Sequence, residues 1–216
     1  MSKAIQPIAI IHSLFKEKFS IPRQPGLVSF ESKIEMLPPY NIPHALSGLE
    51  EFSHLWVLFD FHEVKKTDNL SLMVRPPRLG GNKKLGVFAT RSPNRPNNIG
   101  LSLVKLIRIE DTNLIISGGD FLDQTPVYDI KPYLKEIESI PLAQSGWTEE
   151  LINTKLEVIF HCECEDALKE NIIEVLSLDP RPRFHKDGHK QYGSRLGNVD
   201  VHWEVKDGVA QVFEIT

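Results

Sequence analysis

The densest chemistry in the chain lies between positions 75 and 109, RPPRLGGNKKLGVFATRSPNRPNNIGLSLVKLIRI. This stretch carries eight basic side chains (Arg75, Arg78, Lys83, Lys84, Arg91, Arg95, Lys105 and Arg108) and no Asp or Glu. The other 181 residues hold 17 basic against 29 acidic groups. Cations gathered in one segment of a mildly acidic chain make a localised anion-binding surface. Pro76, Pro77, Pro93 and Pro96, together with four glycines, shape its backbone, because proline fixes φ and glycine admits positive φ or the close approach of a ligand. A solvated charged face needs no such specification. A second basic stretch, DPRPRFHKDGHKQYGSRLG over 179–197, adds Arg181, Arg183, Lys186, Lys190 and Arg195. Phe88, Phe184 and Tyr192 interleave the two stretches. That combination suits a folded RNA, with cations on phosphates and rings on unstacked bases.

His62, Glu63, Asp123 and Asp129 lie in or near the same loops. Carboxylates repel phosphate, so they fit a second ligand, cationic or hydroxyl-bearing, bound beside the RNA. Arg23 sits between Pro22 and Pro25 in KEKFSIPRQPG, where a stiffened backbone lets its guanidinium meet a carboxylate or phosphate at reduced ordering cost. No GxGxxG opens a helix, and Gly80-Gly81 reads only as a tight turn, so a nucleotide-like cofactor would not be held through a Rossmann fingerprint. His161, Cys162 and Cys164 lack both C-x2-C spacing and a fourth ligand, so no metal is expected. On these residues alone, an enzyme and a non-catalytic RNA-binding module both stay open.

The elements that must position these groups are mostly strands. Residues 5–11 are short and β-branched; 27–37 alternate loosely; Leu55 to Phe59 is continuously apolar and reads as a central strand buried on both faces. LGVFAT, from Leu85 to Thr90, reads as a strand interrupted by glycine, and Leu101 to Ile109 as an alternating strand paired with Leu114 to Ser117 across a turn at Asp111–Asn113. Asp123, Gln124 and Thr125 form a polar turn before Pro126. Residues 136–148 read as a linker. Beyond it come a short strand at Lys155 to Phe160 and a helix at Asp166 to Leu176 with Leu168, Ile172, Val175 and Leu176 on one face. A hairpin follows, turning at Asp207-Gly208. The strand-rich first 135 residues favour a closed or nearly closed β-barrel over a doubly wound fold, so the fold class is mainly β, and 149–216 form a small α+β unit that leans on the barrel.

With 216 residues, 41% of them hydrophobic and 25% charged, the chain is long enough to bury a real core and has the composition of a soluble protein. No run approaches a membrane span, and the start MSKAIQPIAI lacks the order of a secretory signal. Two cysteines two residues apart make no disulfide framework, and a reducing, cytoplasmic setting is expected.

Six stretches together resemble one family: PRQPG (22–26), GLEEFSHLWVLFDFH (48–62), RPPRLGGN (75–82), GVFATRSPNRPNNIGLS (86–102), DQTPVYDIKPY (123–133) and DPRPRF (179–184). It is the bacterial TrmO (YaeB/TsaA-like) tRNA methyltransferases, and the similarity spans nearly the whole chain. The resemblance implies a single-sheet β-barrel over 1–138 that binds S-adenosylmethionine, assembles as a homodimer and methylates N6 of threonylcarbamoyladenosine at position 37 of threonine-accepting tRNA, within the anticodon stem-loop. It implies cofactor contacts from Pro22, Arg23, Gln24, His62, Glu63, Arg91, Leu101, Asp123, Gln124, Thr125 and Pro126. His62 and Glu63 are the candidate bases, as proton acceptor or as cofactor ligand. Arg75, Arg78, Lys83, Lys84, Arg95, Arg181, Arg183, Lys186 and Lys190 are candidates for holding tRNA. The C-terminal unit would aid tRNA binding or serve as a stabilising cap. Truncation after about residue 148 is expected to weaken tRNA binding and to spare much of the barrel's cofactor affinity.

Overall fold

The computed structural model describes residues 4–65, 71–76, 83–149, 155–182 and 188–216, the side chains of 188 and 189 apart. Arg78, Arg183 and Lys186, with Gly80, Gly81 and Phe184, lie outside the described residues.

Six strands close a barrel: β1 (Ala9–His12), β2 (Glu31–Met36), β3 (His54–Asp60), β6 (Ile99–Glu110), β7 (Asn113–Ser117) and β8 (Thr125–Pro132), in the spatial order β1-β2-β7-β6-β3-β8. Closure comes from antiparallel pairing of β8 with β1, Ala9 opposite Val127 and Ile11 opposite Thr125. Closing the sheet leaves no unpaired edge to be protected. Two minor strands, β4 (Met73–Val74) and β5 (Leu85–Gly86), form a separate ribbon.

The barrel interior follows from alternation. Leu55, Val57 and Phe59 of β3 point inward with Ile11, Ile34, Val104, Leu114, Ile116 and Val127. The expectation of a strand buried on both faces is corrected here: Trp56 and Leu58 are only half-buried, because the outer face of a closed single sheet has no second layer on it. In β6 the inward row reads Gly100, Ser102, Val104, Leu106. Its second half belongs to the core; its first half is small and polar, and there the interior gives way to a cleft.

LGVFAT is not a continuous strand, since pairing stops at Gly86 and Val87–Ala89 form a 3-10 turn. The polar turn before Pro126 leads into a full strand, β8, whose Pro126 pairs with Ile10. The segment read as a linker contains a short helix, α1 (Lys135–Glu138), and Glu138 accepts the Trp56 indole N–H at 2.8 Å.

The C-terminal unit is a four-stranded sheet, β10-β11-β12-β9, carrying α2 (Asp166–Ser177). Here β9 (Glu157–Phe160) runs parallel to β12 (Val209–Ile215), and β11 (Val199–Lys206) joins β12 through Asp207 and Gly208, both at positive φ as a two-residue hairpin requires. The basic stretch 179–197 is not all loop, because β10 (Gly188–Leu196) occupies its second half. Among that strand's described side chains only Tyr192, Ser194 and Leu196 are buried, so the inward period is masked by charged and small residues in sequence.

The unit's core is shared with the barrel. Fully buried Trp203 packs with Tyr192, Val205, Ile172 and Leu176, and with Phe15 and Val28 from the long β1–β2 connection. Phe19, Ile21 and Phe30 of the same connection complete it. Phe15 bridges to Leu196, the Gly197 amide donates to the Leu14 carbonyl at 2.7 Å, and buried Ser20 donates to Ser194 at 2.7 Å. The β1–β2 connection is thus held between the two sheets rather than displayed as a free loop.

Candidate functional site

One cleft of about 1380 Å³ opens at the end of the barrel where β3 finishes and β6 begins. Its walls come from five segments far apart in sequence: 21–25, the end of β3 with residues 61–65, residues 71–76, the 90–102 loop entering β6, and Asp120, Leu122 and Thr125. Arg75 and Trp147 stand at its margin.

Each segment is fixed by its own bonds. Pro22 is buried, and Arg23 donates to the Arg181 carbonyl at 3.2 Å, which docks PRQPG against the C-terminal unit. Gln24 donates to the Arg23 carbonyl and accepts from Arg91 Nη1 at 2.7 Å, joining the first and fourth walls. The 90–98 loop is laced by side chain to backbone bonds: Thr90 to the Val87 carbonyl at 2.8 Å, Asn98 to the Pro93 carbonyl at 2.9 Å, and Arg95 Nη1 to the carbonyls of Thr90 and Ser92, both at 3.3 Å. Asn98 has φ of 45°, a conformation that asparagine accepts more readily than most residues. The amide of Phe61 donates to its carbonyl at 2.9 Å, tying this loop to the end of β3.

The structure brings Pro22, Arg23, Gln24, His62, Glu63, Arg91, Leu101 and Thr125 into this cleft. It does not bring Asp123, Gln124 and Pro126 to the wall. Asp123 is spent behind it, accepting from the Ser13 amide at 2.9 Å and from Lys16 at 2.7 Å. Burial pushes the Asp123 carboxyl up, but those two partners outweigh it and hold the group below its ordinary value. Gln124, at φ of 62°, meets His12. The DQTP turn therefore orients Thr125, whose hydroxyl donates to the Leu122 carbonyl at 2.6 Å and lies 3.4 Å from His62 Nδ1. Glu63 is exposed and paired with Lys18 at 3.3 Å.

Of the cationic candidates, Arg75 and Arg95 line the cleft, though Arg95 is half-buried and bonded to its own loop. Lys83, Lys84 and Lys190 are exposed, Lys190 over the Tyr192 ring at 5.7 Å. Arg181 is 7% exposed and grips Asp179 with two bonds of 2.7 and 2.9 Å. Its guanidinium braces the 179–181 turn in place of the outward charge expected from the sequence.

Three residues of the cleft were not singled out in the sequence. Trp147, in the linker, donates to the Ala89 carbonyl at 2.9 Å and stands at the margin. Ser102 and Asp120 line the floor, and the Ser102 hydroxyl donates to Asp120 Oδ1 at 2.6 Å. Burial pushes the Asp120 carboxyl up from 3.8 to about 6, against the opposing pull of the Ser102 hydroxyl, the residue's own amide and the Arg91 charge. No local pattern marks Asp120; only its eighteen-residue reach to Ser102 does.

The folded protein therefore holds the Asp120 proton more tightly than the unfolded chain. The stability that this difference supplies is fully present below about pH 3.8 and is lost as pH rises through about 6. At pH 7.5 the charged group is a net cost, and Asp120→Asn is expected to raise stability by about 1–2 kcal/mol, discounted for water on the cleft side. Denaturant midpoints at pH 7.5 and pH 4 check this: the gain should be present at the first and gone at the second. Equal midpoints for both proteins at pH 7.5 would contradict it.

Among the described residues no helix is long and apolar enough to cross a membrane. The model of the tRNA-methyltransferase O N-terminal domain matches residues 10–139, and that of the TrmO C-terminal domain matches residues 149–216. The tRNA (adenine(37)-N6)-methyltransferase of Escherichia coli K12 is 42% identical over 227 residues, covering 97% of this chain and 96% of the other. A Pseudomonas aeruginosa protein, provisionally named an S-adenosylmethionine-dependent methyltransferase, is 43% identical over 218 residues, 94% of this chain and 93% of its own. The crystal structure of TrmO from the same organism superposes with a TM-score of 0.82 at 35% identity, covering all of both chains. Family models match both the barrel and the appended sheet, a solved structure superposes over the full length, and the chain belongs to the tRNA-methyltransferase O family.

Proposed function

We propose that this chain is an S-adenosylmethionine-dependent tRNA (adenine-N6)-methyltransferase acting on threonylcarbamoyladenosine at position 37 and giving its N6-methyl derivative. The observation that carries the reading is the meeting of PRQ (22–24), His62, Arg91 and Leu101 in one cleft, in a chain alike over nearly its full length to a tRNA (adenine(37)-N6)-methyltransferase. At about 1380 Å³ the cleft exceeds the roughly 300–1,000 Å³ of a single small-molecule site, which leaves room for an acceptor base beside a cofactor.

The wall fits S-adenosylmethionine in its donor set. Arg91, held by Gln24, offers a cation to a carboxylate, while Pro22 and Leu101, the latter 51% exposed, offer apolar surface to a nucleoside ring. Arg23, His62, Glu63 and Thr125 complete that wall, and Asp123, Gln124 and Pro126 support it from behind. The bound cofactor supplies a methyl group activated by positive sulfur, with the carbon–sulfur electron pair remaining on the thioether product. The chain must align adenine N6 with that methyl and accept a proton from it. Position 37 lies in an anticodon loop, where a base is already accessible. Arg75, exposed at the cleft margin, is suited to read the threonylcarbamoyl carboxylate; Arg95 braces the loop, and Lys83, Lys84 and Lys190 offer charge to the tRNA backbone. The threonine-accepting tRNAs are the substrates, the cytoplasm is the setting, and a homodimer is the assembly. Leu134 and, on the linker, Ile137, Ile140 and Leu142, all exposed, support a second copy.

Labelled methyl donor mixed with modified and with unmodified tRNA tests the reading. A +14 Da nucleoside at position 37 only on modified tRNA is expected. Product on plain adenosine would reject the substrate but keep methyl transfer. Tight tRNA binding with bound cofactor and no methylated nucleoside would favour the non-catalytic RNA-binding module.

A further inference from the structure

We propose that Asp120, on the floor of the cleft, is the proton acceptor for adenine N6. Among the described residues, three carboxylates line this cleft: Asp60, Glu63 and Asp120. Glu63 is exposed and neutralised by Lys18 at 3.3 Å, which weakens it as a base. Asp60 is engaged by the Tyr128 hydroxyl and, with burial, pushes that phenol up. Asp120 differs from both. It is half-buried in the cleft wall against Ser102 of β6; its Oδ1 is fixed by the Ser102 hydroxyl at 2.6 Å, and the Arg91 charge acts on it from the same cleft. The Ser102 hydroxyl and the Arg91 charge both favour its ionised form, against burial. A base held in this way needs no reorganisation when the acceptor arrives.

The proposal rests on the adenine-N6 reading. As the N6–methyl bond forms and the methyl–sulfur bond breaks, N6 gives up its N–H pair's proton, which passes to an Asp120 oxygen and then to water; the charge left on sulfur is neutralised by the breaking bond's electron pair. The sulfonium's positive charge thus leaves as that proton. A carboxyl whose affinity for protons burial has raised is better matched to the operating pH than an ordinary aspartate.

The test uses the full chain and a tRNA that the wild type methylates. Asp120→Asn keeps an acceptor for Ser102 and removes the charge. Single-turnover rate at saturating donor should fall about 100-fold or more, while donor affinity by isothermal titration changes by less than about threefold. In the wild type the rate should fall below about pH 6, and Asp120→Asn should lose that limb. Ser102→Ala should move the limb upward in pH, because the lost hydroxyl lowers the Asp120 carboxyl. Carbon NMR of the aspartate carboxyls, assigned with Asp120→Asn, reads the same titration without turnover. A midpoint near 4, an unchanged Asp120→Asn rate, or a loss confined to donor affinity would each overturn the proposal. So would transfer of the rate loss and the pH limb to His62→Gln. If the wild type methylates N6 and Asp120→Asn is unaffected, only this proposal falls; if the wild type never methylates N6, the functional reading falls with it.

Discussion

Removing residues 149–216 is expected to abolish measurable S-adenosylmethionine binding, although none of the described residues among them lines the cleft. The reason lies in the β1–β2 connection. Phe15 and Val28 are buried, and Phe19, Ile21 and Phe30 partly so, against Trp203, Tyr192 and α2. Exposing five such side chains forfeits about 5–10 kcal/mol of burial, more than a connection without regular structure of its own can withstand. Its polar ties go as well: Ser20 to Ser194, Ser29 to Glu174, and Arg23 to the carbonyls of Asp179 and Arg181. Pro22, Arg23 and Gln24 would then leave the cleft, and Arg91 would lose its partner Gln24. The barrel has its own core and should keep its strand signal in circular dichroism. Titration of the truncated chain with S-adenosylmethionine should show at least about a 100-fold loss. Retention of wild-type affinity would show that the connection stays folded alone. This reverses the expectation from sequence that truncation spares the cofactor site, because composition could not reveal that the two cores share one connection.

The second large effect is expected at Gly100. A Cβ built there lies 2.2 Å from Phe59 Cζ and 2.5 Å from each of its neighbouring ring carbons, far inside contact distance. Phe59 faces Gly100 across the β3–β6 pair and is 3% exposed. It cannot swing away, since Phe61 and Phe121 stand edge-on to it with centroids at 5.1 and 4.8 Å. Gly100→Ala must therefore part β3 from β6 or displace the aromatic cluster, at about 3 kcal/mol or more. For a chain of this size that lowers Tm by roughly 6–12 °C. Leu101, Ser102 and Asp60 follow the parted strands, so cofactor affinity should fall with stability. Phe59→Leu added to Gly100→Ala should restore part of the loss by vacating the space. A wild-type Tm for Gly100→Ala would refute the packing argument.

Much of the architecture was legible because its signals are local. The alternation in Leu101 to Ile109, the paired turn residues Asp207-Gly208, and the apolar face of Leu168, Ile172, Val175 and Leu176 each declare an element within a dozen residues. All three appear in the fold as β6, the β11–β12 hairpin and α2. β10 escaped because its buried positions include Ser194 while Lys190 and Arg195 dominate its composition. β8 was partly hidden by Pro126, which lies in the strand near the closing seam with β1.

The cleft divides in the same way. The prolines beside Arg23 and the Pro- and Asn-rich loop around Arg91 are written in the chain, and they determined which segments would be shaped for a ligand. Distance decided the rest. Asp120 is one aspartate among many until folding brings it against Ser102 and takes most of its water away. Asp123 reads as a ligand until Ser13 and Lys16 claim it. Sequence determines residue type, local period and turn chemistry, because these act between neighbours. Burial, charge environment and the allocation of a polar group to site or scaffold depend on partners 18 to 110 positions away, and only the closed barrel with its docked sheet brings those partners together.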